Sequence, residues 1–315
     1  MGRRTVVIGI VAVVVLIAIG VSVYMFFFRG GVGVKGFVNI TSIELYVDCD
    51  RVSEDITPIE IYIDISNGFP IDVDVSGGRM DLYVNGLRTG DISIPSTKIG
   101  RGVNRLVIDF VLSNDLIDDV WYRHLKNNES SVAVLRGGIG FKTPIGDIEI
   151  PIDFGRNVST HIFPIEEELD REVDLGVLGK IIIKSIRIEL ENISLTETGL
   201  RAHLAIENRL KAIPLYINWI AFRVKINDIA IAEGRQETAT SIAPGEIDSI
   251  PFTISLENTK IPLAWYKHIK NRERSDISIE IWLEINIAGK TIEILKENPL
   301  TIKTSLETNI FKYKE

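Results

Sequence analysis

Two kinds of hydrophobic pattern share this chain. From Thr5 to Phe28 run 24 residues without a charge, set between Arg3-Arg4 and Arg29. As a helix that stretch covers about 36 Å at 1.5 Å per residue, enough to cross a hydrocarbon core of roughly 30 Å with some tilt. A signal peptide would carry an apolar run of about 7 to 15 residues closing on small side chains. This one closes on Tyr24, Met25, Phe26, Phe27 and Phe28, groups suited to a membrane interface. The pattern predicts an uncleaved single-pass anchor over 1–35, ending in the flexible stalk Gly30-Gly31-Val32-Gly33. No comparable run follows, and Arg3, Arg4 and the terminal amine favour a cytoplasmic N-terminus with the body outside.

Beyond the anchor the period is two. Ile59, Ile61, Ile63 and Ile65 alternate with Glu60, Tyr62, Asp64 and Ser66, and Ile277 to Ile287 repeat the habit, so each strand buries one face and wets the other. Such strands predict antiparallel sheets in a sandwich. Asn85-Gly86 and Asn227-Asp228 stand between apolar runs, where residues tolerant of positive φ form hairpin tips. One element per half departs from this period. Ile117, Val120, Trp121, His124 and Leu125 have helical spacing, with Ser113 or Asn114 available as N-cap. A second helix opens at Ile261-Pro262. Residues 164–176, with Glu166, Glu167 and Glu168, show no period and read as a linker.

The chain repeats itself. Trp121-Tyr122-Arg123-His124-Leu125-Lys126-Asn127 returns 144 positions later as Trp265-Tyr266-Lys267-His268-Ile269-Lys270-Asn271. Asn85 matches Asn227, Gly90 matches Gly234, and the alternating run after Gly102 matches the one after Gly245. A unit of this size can own a core, and the expected domains are 36–168 and 169–315.

Composition narrows the function. A net charge of −8 argues against nucleic acid as a partner, which needs a basic face. Residues 1–29 hold three arginines and no acid, so the remainder is more acidic still and gains nothing from anionic lipid. One cysteine, Cys49, excludes an intrachain disulfide and a Cys-built metal site, and reads as a small packing residue. Sequons at Asn39, Asn128, Asn157 and Asn192 suit an exported body as glycosylation candidates.

Catalytic patterns are missing from the sequence: there is no Gly-x-Ser-x-Gly, His-Glu-x-x-His, P-loop or dinucleotide-binding glycine pattern. Of His124, His161, His203 and His268, the first and last occupy equivalent helix positions, as duplication yields, and read as packing or capping groups. Among the acid clusters Asp48-Cys49-Asp50, Asp72-Val73-Asp74, Asp118-Asp119 and the Glu166 run, Asp72 and Asp74 share one strand face and could join other oxygens around Ca²⁺, but a hard cation needs six or more and no Asp-x-Asp-x-Asp-Gly loop is present, so they read as a solvated face. No catalytic, cofactor or metal residue is assigned. Trp121, Tyr122, Trp265 and Tyr266 are candidates for an apolar or partner contact, with core packing the competing role.

A family resemblance rests on particular residues. Leu204-Ala205-Ile206-Glu207-Asn208, then Ile213-Pro214-Leu215-Tyr216-Ile217, then Val224 to Gly234 and Ala243-Pro244-Gly245-Glu246 into Ile250-Pro251-Phe252, resemble the WHy (water stress and hypersensitive response) domain of folded late embryogenesis abundant proteins, including archaeal desiccation-related members. The first half shows it less fully in Ile63 to Ile71, Asn85-Gly86 and Gly90, and neither Asn67 nor Asn208 is followed directly by the Pro of the family's turn. The resemblance implies an immunoglobulin- or fibronectin-like sandwich with one short helix; with the anchor and the repeat, the expected architecture is mainly β, an N-terminal transmembrane helix followed by two such antiparallel sandwiches in tandem. The resemblance also implies stress protection and carries no catalytic residues. The expected function is therefore a non-enzymatic, membrane-anchored binding or protective module of the cell envelope, touching lipid through its N-terminal helix and binding an unknown protein or apolar ligand. A lipid or apolar-ligand carrier and an adhesion or assembly scaffold are the alternatives.

Overall fold

The computed structural model describes residues 37–160, 162–308 and 310–314. The stretch expected to cross a membrane, its stalk and His161 lie outside the described residues. Among those described, no helix is long and apolar enough to span a bilayer.

The protein is mainly β and its chain forms two units. The first holds 37–160 together with Trp265–Glu273 and the tail from Thr308. Its strands are β1 (Val38–Val47), β2 (Ile56–Asn67), β3 (Val73–Val84), β4 (Leu87–Ile94), β5 (Thr97–Ile99), β6 (Gly102–Ser113), β7 (Ser130–Thr143) and β8 (Gly146–Ser159), with helix α1 (Ile117–Lys126) between β6 and β7. The second holds the described part of 162–264 and Arg274–Glu307. It contains β9 (Ile165–Asp174), β10 (Gly179–Ile193), β11 (Glu197–Leu210), β12 (Leu215–Ile226), β13 (Ile229–Ile242), β14 (Ile247–Glu257), β15 (Arg274–Ile287), β16 (Lys290–Ile294) and β17 (Leu300–Glu307). Helix α2 (Ile261–Lys270) begins in the second unit, and from Trp265 it belongs to the first, as does β18 (Lys312–Tyr313).

Each unit is a two-sheet sandwich. In the first, β18-β1-β2-β6 faces β4-β3-β7-β8, with β5 on β3; in the second, β14-β11-β10-β9 faces β13-β12-β15-β16, with β17 on β15. Among the described residues all pairings are antiparallel except β1 with β18, where Tyr46 lies beside Lys312. The two-residue period does the sorting: Ile59, Ile61, Ile63 and Ile65 of β2 are buried, as are Ile277, Ile279, Ile281, Leu283, Ile285 and Ile287 of β15. Burying such a side chain contributes about 1.5–3 kcal/mol. Asn85 and Gly86 take φ of 45° and 78°, Asn227 and Asp228 47° and 67°, so both tips have the two positive φ values a type I′ hairpin requires.

Helix α1 buries Ile117, Val120, Trp121, His124 and Leu125, the five positions with helical spacing. Its cap departs from expectation. A 3-10 turn, Asn114–Leu116, precedes the helix; Ser113 makes no side-chain cap bond, and the Asn114 side chain is engaged with another loop. The expected linker over 164–176 is also corrected. Most of it is β9, paired along its length with β10, and the expected boundary at 168/169 falls inside this strand. β9 lacks an apolar alternation because cross-strand ion pairs and the backbone ladder hold it at the sheet edge: Glu166 with Arg187, Asp170 with Lys184, Glu172 with Lys180.

Candidate functional site

The chemistry-bearing side chains gather where α1 meets the sheets. His124 reaches Ser131 Oγ through Nδ1 at 2.8 Å and Thr160 Oγ1 through Nε2 at 2.8 Å. Thr160 Oγ1 in turn donates to Glu129 Oε2 at 3.1 Å. Because the Thr160 proton goes to Glu129, its oxygen accepts from His124 Nε2–H, which leaves Nδ1 to accept from Ser131. Ser131 Oγ also accepts from Asn85 Nδ2 at 3.0 Å, so one network joins the β3–β4 tip, β7, the helix and the residue after β8. The imidazole is neutral: burial pushes its pKa down to about 4.

A second copy of this arrangement serves α2. His268 Nε2 meets Thr308 Oγ1 at 2.8 Å, and Thr308 donates to Glu273 Oε1 at 2.8 Å. Glu273 further accepts from the backbone N–H groups of Ile310 and Phe311 at 2.8 and 3.1 Å. Burial again lowers the imidazole to about 4. A hydroxyl, an imidazole and a carboxylate in series would suit acid–base or nucleophilic chemistry in an open cleft. Here His124 and Ser131 have no exposed surface, and both ring nitrogens of His124 are occupied. The series ties the helix and the chain ends to the sheet.

Buried asparagines form a second repeated device that sequence reasoning missed. Asn114 Oδ1 accepts from Thr57 Oγ1 at 2.7 Å while its Nδ2 donates to the carbonyls of Ser53 and Glu54. Asn258 does the same with Thr198 Oγ1 at 2.8 Å and the carbonyls of Ser194 and Leu195. At the ends of β2 and β11, Asn67 and Asn208 accept from the N–H two residues ahead and donate to carbonyls across the turn, Ile71, Ile99 and Gly100 for one and Ile213 and Ile242 for the other. Recurrence of each asparagine in both halves was the available signal.

The aromatic candidates divide. Trp121 and Trp265 are each 3% exposed, and Trp265 Nε1 donates to Thr57 Oγ1 at 3.1 Å, so neither indole offers a surface. Tyr122 and Tyr266 are half-buried, beside Lys126 and Lys267 respectively. His203 is half-buried on β11. Cys49 is half-buried, donates to the Ile269 carbonyl at 3.6 Å, and burial raises its thiol pKa, which lowers its thiolate fraction. Asp72 and Asp74 are exposed, Asp74 lying 3.9 Å from Lys98, and among the described residues no group of three potential ligands could hold a metal ion. The sequon residues Asn39, Asn128, Asn157 and Asn192 are all exposed. An open depression in the second unit is lined by Arg171, Glu172, Glu293, Leu295, Lys296 and Asn298, with charges of both signs and no convergent donor set.

No family profile matches this chain, and no curated protein does. Among solved structures, a protein from Archaeoglobus fulgidus shows 17% identity and a TM-score of 0.37, covering 40% of this chain and 98% of its own. A solution structure from Arabidopsis thaliana shows 15% identity and a TM-score of 0.28, covering 42% of this chain and 87% of its own. Red sea bream transglutaminase shows 12% identity and a TM-score of 0.22, covering 86% of this chain but only 32% of its own length. Likeness this distant says nothing about activity.

Proposed function

We propose that this protein is a non-enzymatic, membrane-anchored module of the cell envelope that holds two WHy-like, immunoglobulin- or fibronectin-like sandwiches outside the cytoplasm and protects against loss of water. The observation that carries the reading is the ion-paired wet face of the sheet β14-β11-β10-β9. Lys180 meets Glu172 at 2.7 Å, Arg187 meets Glu166 at 2.9 Å, Arg209 meets Glu207 at 2.5 Å, and Arg201 pairs with Glu191. In bulk water such pairs contribute little. As water leaves, an isolated charge loses its solvation, whereas one already facing a counter-charge is held more strongly in the falling dielectric. A surface arranged this way keeps its fold through drying. The clamps at Asn67 and Asn208 support the kinship, since they give the family's Asn turn a structural role. The sealed networks around His124 and His268 support the non-enzymatic reading.

The test is a drying assay. Full-length protein in lipid vesicles is dried with a labile reporter enzyme and rehydrated, with serum albumin at equal mass as control. Reporter recovery above the albumin value is expected, and recovery equal to it defeats the proposal. Protease treatment of intact cells should remove the body after residue 36; a protected body would defeat the extracytoplasmic placement.

A further inference from the structure

Among the described residues, strand β6 closes one side of its sheet and pairs with β2 alone. Leu106, Ile108, Phe110 and Leu112 point inward and are buried, while Val103, Val107 and Val111 point outward with 71%, 46% and 52% of their surface exposed. A long, apolar, unpaired edge is a template for another strand unless something blunts it. The equivalent strand of the second unit is blunted. Taking Asn114 and Asn258 as matched points, β14 sets Ile247, Ser249, Pro251, Thr253 and Ser255 where β6 has Val103, Arg105, Val107, Asp109 and Val111. Pro251 removes the central N–H, and Gln236 Oε1 takes the N–H of Thr253 at 2.7 Å.

That bond also fixes the direction of the edge groups. The Thr253 N–H points away from β11, so by ladder alternation the N–H groups of Val103, Arg105, Val107, Asp109 and Val111 point away from β2. The outward row therefore reads Val-Arg-Val-Asp-Val along a ladder to which no second strand is paired among the described residues, with β4 of the facing sheet close by. Laid antiparallel on itself about Val107, it sets Val103 against the second copy's Val111 and Arg105 against the second copy's Asp109. Both charges are suited to this. Asp109 stands opposite Glu60 on β2, whose carboxylate already meets Arg51 and Lys314, so an incoming arginine answers the charge of Asp109 itself. Arg105 is bound to Asp64 through Nε and Nη2, which uses two of its five donors.

We propose that β6 is a self-association edge, at which two copies of this chain join antiparallel about a two-fold axis through Val107 into one continuous sheet. Cysteine crosslinking of the detergent-solubilised full chain in a Cys49→Ser background tests it. Val107→Cys is expected to form a disulfide-linked dimer, because directly opposed residues on such a ladder lie about 5.5 Å apart between Cα atoms, within disulfide reach. Val103→Cys and Val111→Cys alone should not link, each lying roughly 26 Å from its own counterpart at 3.3 Å per residue, whereas a mixture of the two should. Adding Val107→Pro to that mixture is expected to abolish the link with folding preserved, as Pro251 is accommodated in β14. Should the proline variant unfold, Val107→Lys, which opposes two ammonium groups, replaces it. The proposal is overturned if Val107→Cys links no better than the single controls, or if the mixed link survives the folded blocking variant. It is likewise overturned if Val107→Cys in native membranes links to a different protein and not to itself.

Discussion

Asn114 shows how a single polar residue holds a loop against a sheet. With no exposed surface, it takes one hydroxyl proton and supplies two carbonyls, so every group in reach is satisfied. Asn114→Ala leaves those carbonyls unpartnered and should cost about 2–4 kcal/mol in urea unfolding; Asn114→Asp, which cannot donate, should recover none of it. The buried histidines make a second residue-level prediction. Folding holds both imidazoles neutral down to about 4, against 6.5 for the unfolded chain. The unfolded chain therefore binds more protons between those values. Stability is complete above pH 6.5 and falls as the pH drops toward 4, by about 3 kcal/mol per histidine at most. Glu44 and Asp64, held low by Lys312 and Arg105, lose their share only at more acid pH, while Asp118 and Glu167, raised by burial, act in the opposite sense. Unfolding curves at pH 7 and pH 5 should show the loss in the native chain and little of it in His124→Gln/His268→Gln. Neither the clamps nor the networks were legible as such, because asparagine, serine and threonine ordinarily read as surface or turn residues. What marked them was return at matched positions: Asn114 and Asn258, Ser131 and Ser275, Glu129 and Glu273 each lie 144 residues apart.

Among the elements, legibility followed from whether burial or pairing made the strand. β2 and β15 were written in alternating isoleucines, and α1 in the spacing of its five buried positions, because each docks one apolar face on a core. β9 left no such trace. It is an edge strand with β10 on one side, most of its side chains meet water, and its charges answer lysines and arginines on the neighbour. Only knowledge of the partner strand makes that pattern readable. The paired glycines Gly90 and Gly234, in contrast, were visible, and the structure supplies their reason. A Cβ on Gly90 would come within 2.3 Å of the Phe110 ring across the sandwich, and one on Gly234 within 2.7 Å of the Phe222 ring on the adjacent strand. Gly90→Ala should thus push Phe110 off its packed position and lower stability by about 1–3 kcal/mol in thermal or urea unfolding, the usual cost of overpacking. An unchanged midpoint would mean that β4 yields at no cost.

For the whole molecule, the consequence lies in which residues complete the first unit. Two beads on a string would let 37–160 fold by itself, yet this unit also takes Trp265–Glu273 and the tail from Thr308. These segments supply groups that the sandwich uses. Trp265 donates to Thr57, Lys270 to the carbonyl of Cys49, and Lys314 N–H to the carbonyl of Val47. Within the added segments Glu273 is 1% exposed, and its carboxylate is held by Thr308, Ile310 and Phe311. Ending the chain at Glu307 strips all three donors from that carboxylate and removes β18 from the edge of β1. A buried charge left without partners costs about 3–5 kcal/mol, a large share of a typical domain's stability of 5–15 kcal/mol. The truncated chain should therefore melt well below the native one. Replacing Glu273 with Gln, which keeps one acceptor and drops the charge, should recover part of the loss in the truncated chain while destabilising the full one. That reversal of sign separates the specific role of the tail from a general effect of shortening, and identical effects of Glu273→Gln in both backgrounds would refute it.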